Sequence, residues 1–534
     1  MLVFPERVLA GDVPNKDFLH LYGPGSLWAL AGWFWTFGVS LAAERLFGLL
    51  QIGGIIFGVM ALARPWGRRV ATMCGLVAVL LCTTAIGLTA LAWNGAVALG
   101  LASLWLGLRA RRWLALDSLD QATDRRANRL LVAAGVVAGF ALLFRPDVVV
   151  GITLGSAAIL WGLDRARLAR WVAGVAAGVA PILIHLATAG PANAVEGMLL
   201  DPVFRLRGGR TLPLPAWGEL TGALQRVAVL RVPGWSLPAL SESQQVFLWF
   251  WALPLVILAT VATGAASLRR SPGRWPARVL LAVGLFSLGI LPQALQRPDS
   301  THLAWVSCVP VAFLPVTVSE IWRHLAPERM RRHAGSLGAT VGLVFVLGVI
   351  PYYTFRPYLD LANQSRGREI YGTAVHHAGR VFYLGSEPAA RDAQLLVDDL
   401  GDLATPGDLL FVGTADLRKT PYSDAYLYFL LPDLVPSTYY IEMDPGMANA
   451  EGSGLADDVA SSDWLILSHV WDAWDEPNDS RELMSDDANR VVREQFCEVR
   501  TYPEGSFVLY ERCAGPDSSD TGDEGAPATF PEGS

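Results

Sequence analysis

The feature that most constrains this chain is the recurrence of apolar runs near bilayer length. Between Leu41 and Tyr353 they fall at roughly 41–63, 70–92, 94–108, 130–144, 148–163, 171–189, 246–266, 279–295, 303–322 and 336–353. Lipid offers no water to unpaired backbone groups, so a chain crosses it as helices or as a closed barrel. A perpendicular helix needs about 20 residues. The expectation is therefore a polytopic α-helical membrane protein of about ten transmembrane helices. The shorter runs between 94 and 163 are read as tilted, extended at their ends or partly inserted. Residues 26–40, with Trp28, Trp33 and Trp35, read as an interfacial helix, the depth that tryptophan favours.

Arginines orient the array. Clusters at Arg64, Arg68 and Arg69, at Arg109 to Arg129, at Arg165 to Arg170, at Arg269 to Arg278 and at Arg323 to Arg332 all fall on alternate connections. The intervening short turns hold only Arg145 and Arg297. The arginine-rich side is expected to be cytoplasmic. Both termini of a ten-span array would then lie outside, yet no signal peptide opens the chain. A further helix upstream of Met1 is the expectation that resolves this.

Net charge divides the chain in two. Residues 1–359 carry 31 Lys/Arg against 16 Asp/Glu, and residues 360–534 carry 11 against 33. A basic membrane region followed by an acidic polar one indicates membrane lipids and a water-exposed domain, with no nucleic-acid partner. Four regions are expected: an outer loop and interfacial helix over 1–40, a multi-span domain over 41–355 with a long outer loop at 190–245, an extracytoplasmic α/β domain over 356–515, and a disordered acidic tail over 516–534.

Before the first span, Gly11 to Gly25 packs Asp12, Lys16, Asp17, His20 and Tyr22 between Pro14, Gly23, Pro24 and Gly25. Glycine and proline hold such a stretch as a loop. A carboxylate beside an imidazole in a shaped loop at a membrane surface can take a proton from a bound hydroxyl. The plain alternative is a solvated interfacial loop. Three other segments are expected on the same side: Arg145-Pro146-Asp147, the loop carrying Arg205 and Arg210, and Arg297-Pro298-Asp299 followed by His302. Taken singly, each Arg–Asp neighbour reads as a local ion pair. Taken together, they suggest a polar cleft whose guanidinium groups suit a phosphate.

In the polar part, strand-like pieces are expected at 380–384, 408–413, 427–431, 438–442 and 463–468, a helix near 389–403, and a terminal hairpin of 495–502 with 506–513. Cys497 and Cys513 lie on that hairpin, and either a disulfide or two free thiols fits. Trp471, Asp472, Trp474, Asp475 and Glu476 read as a structural aromatic cluster or as a sugar-binding one. His376 and His377 read as solvated linker residues. The chain has no phosphate-binding glycine loop, paired CxxC or hydrolase elbow.

Asp17-Phe-Leu-His20-Leu-Tyr22-Gly-Pro24-Gly-Ser, then Phe37-Gly38-Val-Ser and Glu44-Arg45-Leu, resembles the first outer loop and second helix of the GT-C membrane glycosyltransferases, in particular the protein O-mannosyltransferase-like and lipid A glycosyltransferase-like groups. The resemblance implies transfer of a sugar from a polyprenyl-phosphate carrier to a glycan, lipid or protein acceptor on the outer face of the cytoplasmic membrane. It implies that Asp17 matches the second acidic position of the family's first loop, with Asp12 standing in for the first or that residue lying upstream of Met1. Under that reading Asp17, Asp12 and His20 are catalytic. Tyr22, Arg145, Asp147, Arg205, Arg210, Arg297, Asp299 and His302 bind substrate, and a divalent metal is possible. A transporter or flippase, and a non-catalytic envelope scaffold, are the alternatives.

Overall fold

The structure, a computed structural model, describes residues 1–82, 87–115, 121–219, 240–350, 356–368 and 370–513. The tail expected over 516–534, and part of the loop expected over 190–245, lie outside the described residues. Among the described residues five helices are long and apolar enough to cross a membrane: Leu41–Trp66, Gln121–Phe144, Arg165–Ala189, Glu242–Arg270 and Trp275–Gln296. Pro146–Leu160 and Ala334–Val349 are apolar but shorter, and Ala92–Leu114 carries arginines through its last turn.

Two of the expected ten spans are not continuous. The helix starting the 70–92 run ends at Cys82, and Leu88–Leu91 are non-helical. The 303–322 run divides into Ser300–Ser307 and Leu314–Leu325. Pro310 lacks the N–H that a continuous helix needs, and Pro315 takes the first-turn position where that loss is harmless.

Helices 121–144 and 165–189 meet through glycine. A Cβ on Gly135 would sit 2.2 Å from the Trp171 carbonyl oxygen, and one on Gly139 2.4 Å from that of Val175. Reciprocally, Gly174 and Gly178 would collide with the carbonyls of Val132 and Val136 at 2.4 and 2.1 Å. Small residues four apart on both partners allow this backbone approach, which substitutes dispersion for the hydrophobic force missing in lipid.

The arginine clusters share one end of the bundle. Arg111 lies within the field of Arg278 and Arg167, Arg167 pairs with Asp124, and buried Glu320 takes Arg274, Arg323 and the Trp66 indole N–H.

The C-terminal unit is built on two sheets. An antiparallel hairpin joins β1 (Thr373–His377) to β2 (Arg380–Leu384). Its two-residue turn places Ala378 and Gly379 at φ +48° and +73°, the twist that suits a hairpin. His376 and His377 are thus strand residues, not linker. The larger sheet has order β4-β3-β5-β7-β6, with β3 (Leu409–Thr414), β4 (Val435–Pro436), β5 (Trp464–Ser468), β6 (Phe496–Thr501) and β7 (Phe507–Arg512). Strand β3 runs parallel to β4 and β5, while β5–β7 and β6–β7 are antiparallel. Helix Glu387–Leu403 packs on the hairpin and the sheet. A disulfide joins Cys497 to Cys513.

Two expected strands are absent. Tyr426–Leu430 forms a helical turn, because a run apolar at every position carries no period to separate strand from buried helix. Residues 438–442 run as an irregular segment, in which Thr438 and Tyr439 bond the Asp458 carboxylate instead of a neighbouring strand.

The first forty residues do not stand apart from this unit. Leu2, Val3, Phe4, Phe18, Leu27 and Phe34 share one apolar core with Leu396, Leu410, Phe429 and Ile466. Leu19 and Leu21 join a second core with Phe411 and Leu465.

Candidate functional site

The opening loop is held from both sides. Helix Val3–Ala10 ends at Gly11, whose φ of +107° is open to glycine. Arg7 then ties the loop to itself and to the C-terminal unit. Its Nε donates to Asp12 at 2.7 Å, one terminal nitrogen donates to the Asp17 carbonyl and the other to the Thr438 carbonyl. Asp17 turns its carboxylate back onto the Val13 N–H at 2.7 Å, a local turn that competes well with regular structure. Asn15, at φ +62°, donates to the His20 carbonyl and meets His185 at 3.1 Å. Burial lowers the His20 imidazole to about 4, so it is neutral near pH 7. Its Nε2 has no hydrogen-bond partner among the described residues.

Gly23 then seats the loop on the membrane bundle. A Cβ there would lie 2.1 Å from the Leu143 carbonyl oxygen, so only glycine permits the approach. That contact delivers Tyr22 to Arg145, two residues beyond Leu143. The Arg145 guanidinium lies 4.7 Å from the Tyr22 ring centroid and 4.9 Å from that of Trp93. Arg145 also donates from Nε to Asp147 and from Nη2 to Gln293. Burial works against its charge, and Asp147 and Tyr22 more than restore it.

Arg210 arrives from a different connection. Gly208 and Gly209 press against Asp479 and the Pro445 carbonyl, which fixes the short helix Arg207–Arg210 on the C-terminal unit. Arg210 pairs through Nη2 with buried Asp444 and lies within the field of Arg145, Tyr22, Glu442 and Tyr422. Arg297 comes from a third connection. It takes Asp299 through Nε, the Arg210 carbonyl through Nη1 and both Glu476 carboxylate oxygens through Nη2 at 2.6 and 2.8 Å. Asp299 caps helix Ser300–Ser307 and holds His302. Burial would raise its carboxyl, but His302 and Arg297 together hold it below the ordinary value.

Arg145, Arg210 and Arg297 therefore converge, with Tyr22 and Tyr422 between them, where the bundle meets the C-terminal unit. The local Arg–Asp pairs are present too, at Arg145–Asp147, Arg297–Asp299 and Arg205–Asp201. Arg205 has an exposed side chain and engages Glu196 and Asp201, both through Nη1. Asp12 and Asp17 brace the opening loop, and among the described residues no hydrogen bond or ion pair links them to the arginines of this cluster.

The three guanidinium groups differ in what they have left to give. Each has five N–H donors. All three Arg297 nitrogens have protein acceptors. Nη1 of Arg145, and Nε and Nη1 of Arg210, have none among the described residues.

The C-terminal unit supplies groups that the pattern of the chain did not single out: Tyr422, Glu442 and Asp444. The protein crowded around the Glu442 carboxyl, and then Asp444, raise it while Arg210 pulls it down, and the side chain still keeps exposed surface. The cluster of five near Trp471 divides its work: Asp472 pairs with His469, Asp475 with Arg481 and Glu476 with Arg297. Trp471, Trp474 and Tyr422 lie against one another, with ring centroids 5.0–5.6 Å apart. Among the described residues no three His, Cys, Asp or Glu side chains gather into a metal-binding set.

No protein-family model matches the chain, and no curated protein matches it. Among solved structures it is similar to ArnT from Cupriavidus metallidurans bound to undecaprenyl phosphate, at 15% identity over 97% of this chain and 94% of that one, with a TM-score of 0.46. It is also similar to the archaeal oligosaccharyltransferase AglB from Archaeoglobus fulgidus in complex with an inhibitory peptide and a dolichol-phosphate, at 11% identity over 96% and 69%, again with a TM-score of 0.46.

Proposed function

We propose that this chain is a membrane glycosyltransferase of the GT-C type, moving a sugar from a polyprenyl-phosphate carrier to an acceptor. The observation that carries the reading is the pair Arg145 and Arg210. They come from separate connections, lie within each other's field, flank Tyr22 and keep donors free. Two guanidinium groups with unspent N–H donors in a desolvated place suit a phosphate. A carrier whose tail stays in lipid would present its phosphate at the end of the bundle, where these residues lie.

In the transfer the bond between the anomeric carbon and the phosphate oxygen breaks, and its electron pair leaves with the carrier phosphate. Arg145 and Arg210 stabilise that developing charge. The acceptor hydroxyl oxygen bonds the anomeric carbon and its proton passes to a carboxylate. Two carboxylates are candidates for that base. Asp17 has one oxygen outside its turn with Val13, and Glu442 is exposed beside Arg210 and Asp444. Arg297, each of whose nitrogens already has a protein acceptor, joins the C-terminal unit to the bundle. The arginine-rich end is assigned to the cytoplasm by the positive-inside rule. The C-terminal unit then lies outside, where the Cys497–Cys513 disulfide persists.

The test is transfer of labelled sugar from a polyprenyl-phosphate donor by the purified chain to candidate acceptors. Arg145→Gln and Arg210→Gln should abolish transfer at unchanged membrane levels, and undiminished transfer by both would refute the reading. Asp17→Asn and Glu442→Gln identify the base by which of them abolishes turnover while donor binding persists.

A further inference from the structure

A cavity of about 450 Å³ opens between the membrane bundle and the C-terminal unit, with Trp471, the neighbour of Tyr422, in its wall. Its size falls in the range of small-molecule pockets. Glu44, Arg45 and Thr89 line it from the bundle, Met1 to Val3 from the opening helix, and Phe382, Asp424, Tyr426 and Trp471 from the C-terminal unit. The aromatic walls are ordered: Phe382 and Tyr426 stack with centroids 4.7 Å apart and planes 6° from parallel. Trp471 stands against Tyr422 at 5.2 Å.

Three polar atoms of residues on this lining are buried without a hydrogen-bond partner among the described residues: the Tyr426 hydroxyl, the Trp471 indole N–H and Glu44 Oε2, which has only its ion pair with Arg45. The indole lies near the Asp424 carboxylate but not in hydrogen-bonding geometry with it. Orphaned polar groups are uncommon in native interiors and call for a reason. Asp424 is itself almost wholly buried and held by Ser468, and burial pushes its carboxyl up to about 6.

The lining also discriminates among ligands. An alkyl chain would leave the Tyr426 hydroxyl, the Trp471 N–H and Asp424 facing hydrocarbon, which is costly. A phosphate would meet the carboxyl groups of Glu44 and Asp424, while Arg45 is already engaged by Glu44 and Thr89. A neutral sugar ring presents C–H faces to flat aromatic walls and hydroxyls at its edge to the free donors and the carboxyl.

We propose that this cavity binds one neutral sugar ring. Its assignment as the acceptor end of the transfer rests on the glycosyltransferase reading, and the arrangement suits it: Tyr422 lies within the field of Arg210 and Arg297, and the next two residues, Ser423 and Asp424, line the cavity.

The experiment uses the full chain in a detergent without a sugar head-group. Binding of a panel of methyl hexopyranosides and methyl pentofuranosides is followed by saturation-transfer NMR. At least one glycoside should saturate, with affinity falling about tenfold in Tyr426→Phe and in Asp424→Asn. Tyr426→Phe removes an orphaned hydroxyl, so it folds at least as well as the wild type, and lost binding there reports the ligand and not the fold. Failure of every glycoside to saturate, or wild-type affinity in both cavity variants, overturns the site. Should transfer itself fail, these binding arms still decide whether the cavity holds a ring. With transfer in hand, Tyr426→Phe should raise the acceptor KM and leave the donor KM unchanged, and the opposite split overturns the acceptor assignment.

Discussion

Replacing Arg297 with glutamine should loosen the C-terminal unit from the bundle by an amount that can be worked out from its partners. The guanidinium is buried, with side-chain exposure of 9%, and faces Asp299 at 0% and Glu476 at 3%. Removing one partner of such a pair leaves an uncompensated buried charge and costs about 3–5 kcal/mol. The two carboxylates do not suffer equally. Asp299 keeps His302 and a backbone N–H, whereas among the described residues Glu476 keeps only the Asn478 amide. Most of the cost therefore falls on Glu476. Adding Glu476→Gln to Arg297→Gln should recover most of the loss, because two amides in that place carry no charge to desolvate. The assay is a double-mutant cycle on urea midpoints of the detergent-solubilised chain, with protease cleavage between the bundle and the first sheet as a second readout. A single-variant loss below about 1 kcal/mol, or a double variant no more stable than Arg297→Gln alone, would refute the idea that this pair joins the two parts through buried charge.

Gly139→Ala and Gly178→Ala should each lower thermal stability by about 1–3 kcal/mol through overpacking. Gly53→Ala, with nothing within 4 Å of the added methyl, should be neutral or stabilising; equal behaviour of all three would remove the close glycine crossing. His20 has its imidazole lowered to about 4 by burial, against about 6.5 when unfolded. A depressed value stabilises above the unfolded value and is lost as pH falls toward the folded one, so about 3 kcal/mol should drain away between those limits. Hydrogen exchange of residues 13–21 at about pH 7 and about pH 5 should show the loop loosening in acid, and equal protection would contradict the assignment. Reducing the Cys497–Cys513 disulfide, with its separation of 16 residues, should lower stability by up to about 3 kcal/mol. Cys497→Ser with Cys513→Ser should reproduce that loss and be insensitive to reductant in urea titrations.

Legibility in the sequence followed the range of the interactions. Helix Leu41–Ala63 was readable because one apolar run of sufficient length admits a single answer in lipid. The terminal hairpin was readable from two β-rich runs around Pro503-Glu504-Gly505. The 303–322 run was not, because its length suggested a span while Pro310 broke the ladder inside it. Tyr426–Leu430 could not be separated from a strand, being apolar at every position. Arg145 and Arg297 could be singled out as the arginines of sparse short turns, and Arg210 as one on the long outer loop. Nothing in their spacing said that every nitrogen of Arg297 would find a protein acceptor while Arg145 and Arg210 would keep nitrogens without one.

What the chain determines by itself is its division into apolar helices and a polar α/β unit, together with the end of the bundle at which arginines collect. Those properties depend on the solvent each segment tolerates, which is local. What only the tertiary structure decided is the company each polar group keeps. Glu442 and Asp444 lie beside Arg210 across more than two hundred residues, Gly23 carries Tyr22 to Arg145, and the first forty residues complete the core of the last unit. Burial and charge pairing arise from neighbours far away in the chain, and no window along it contains them.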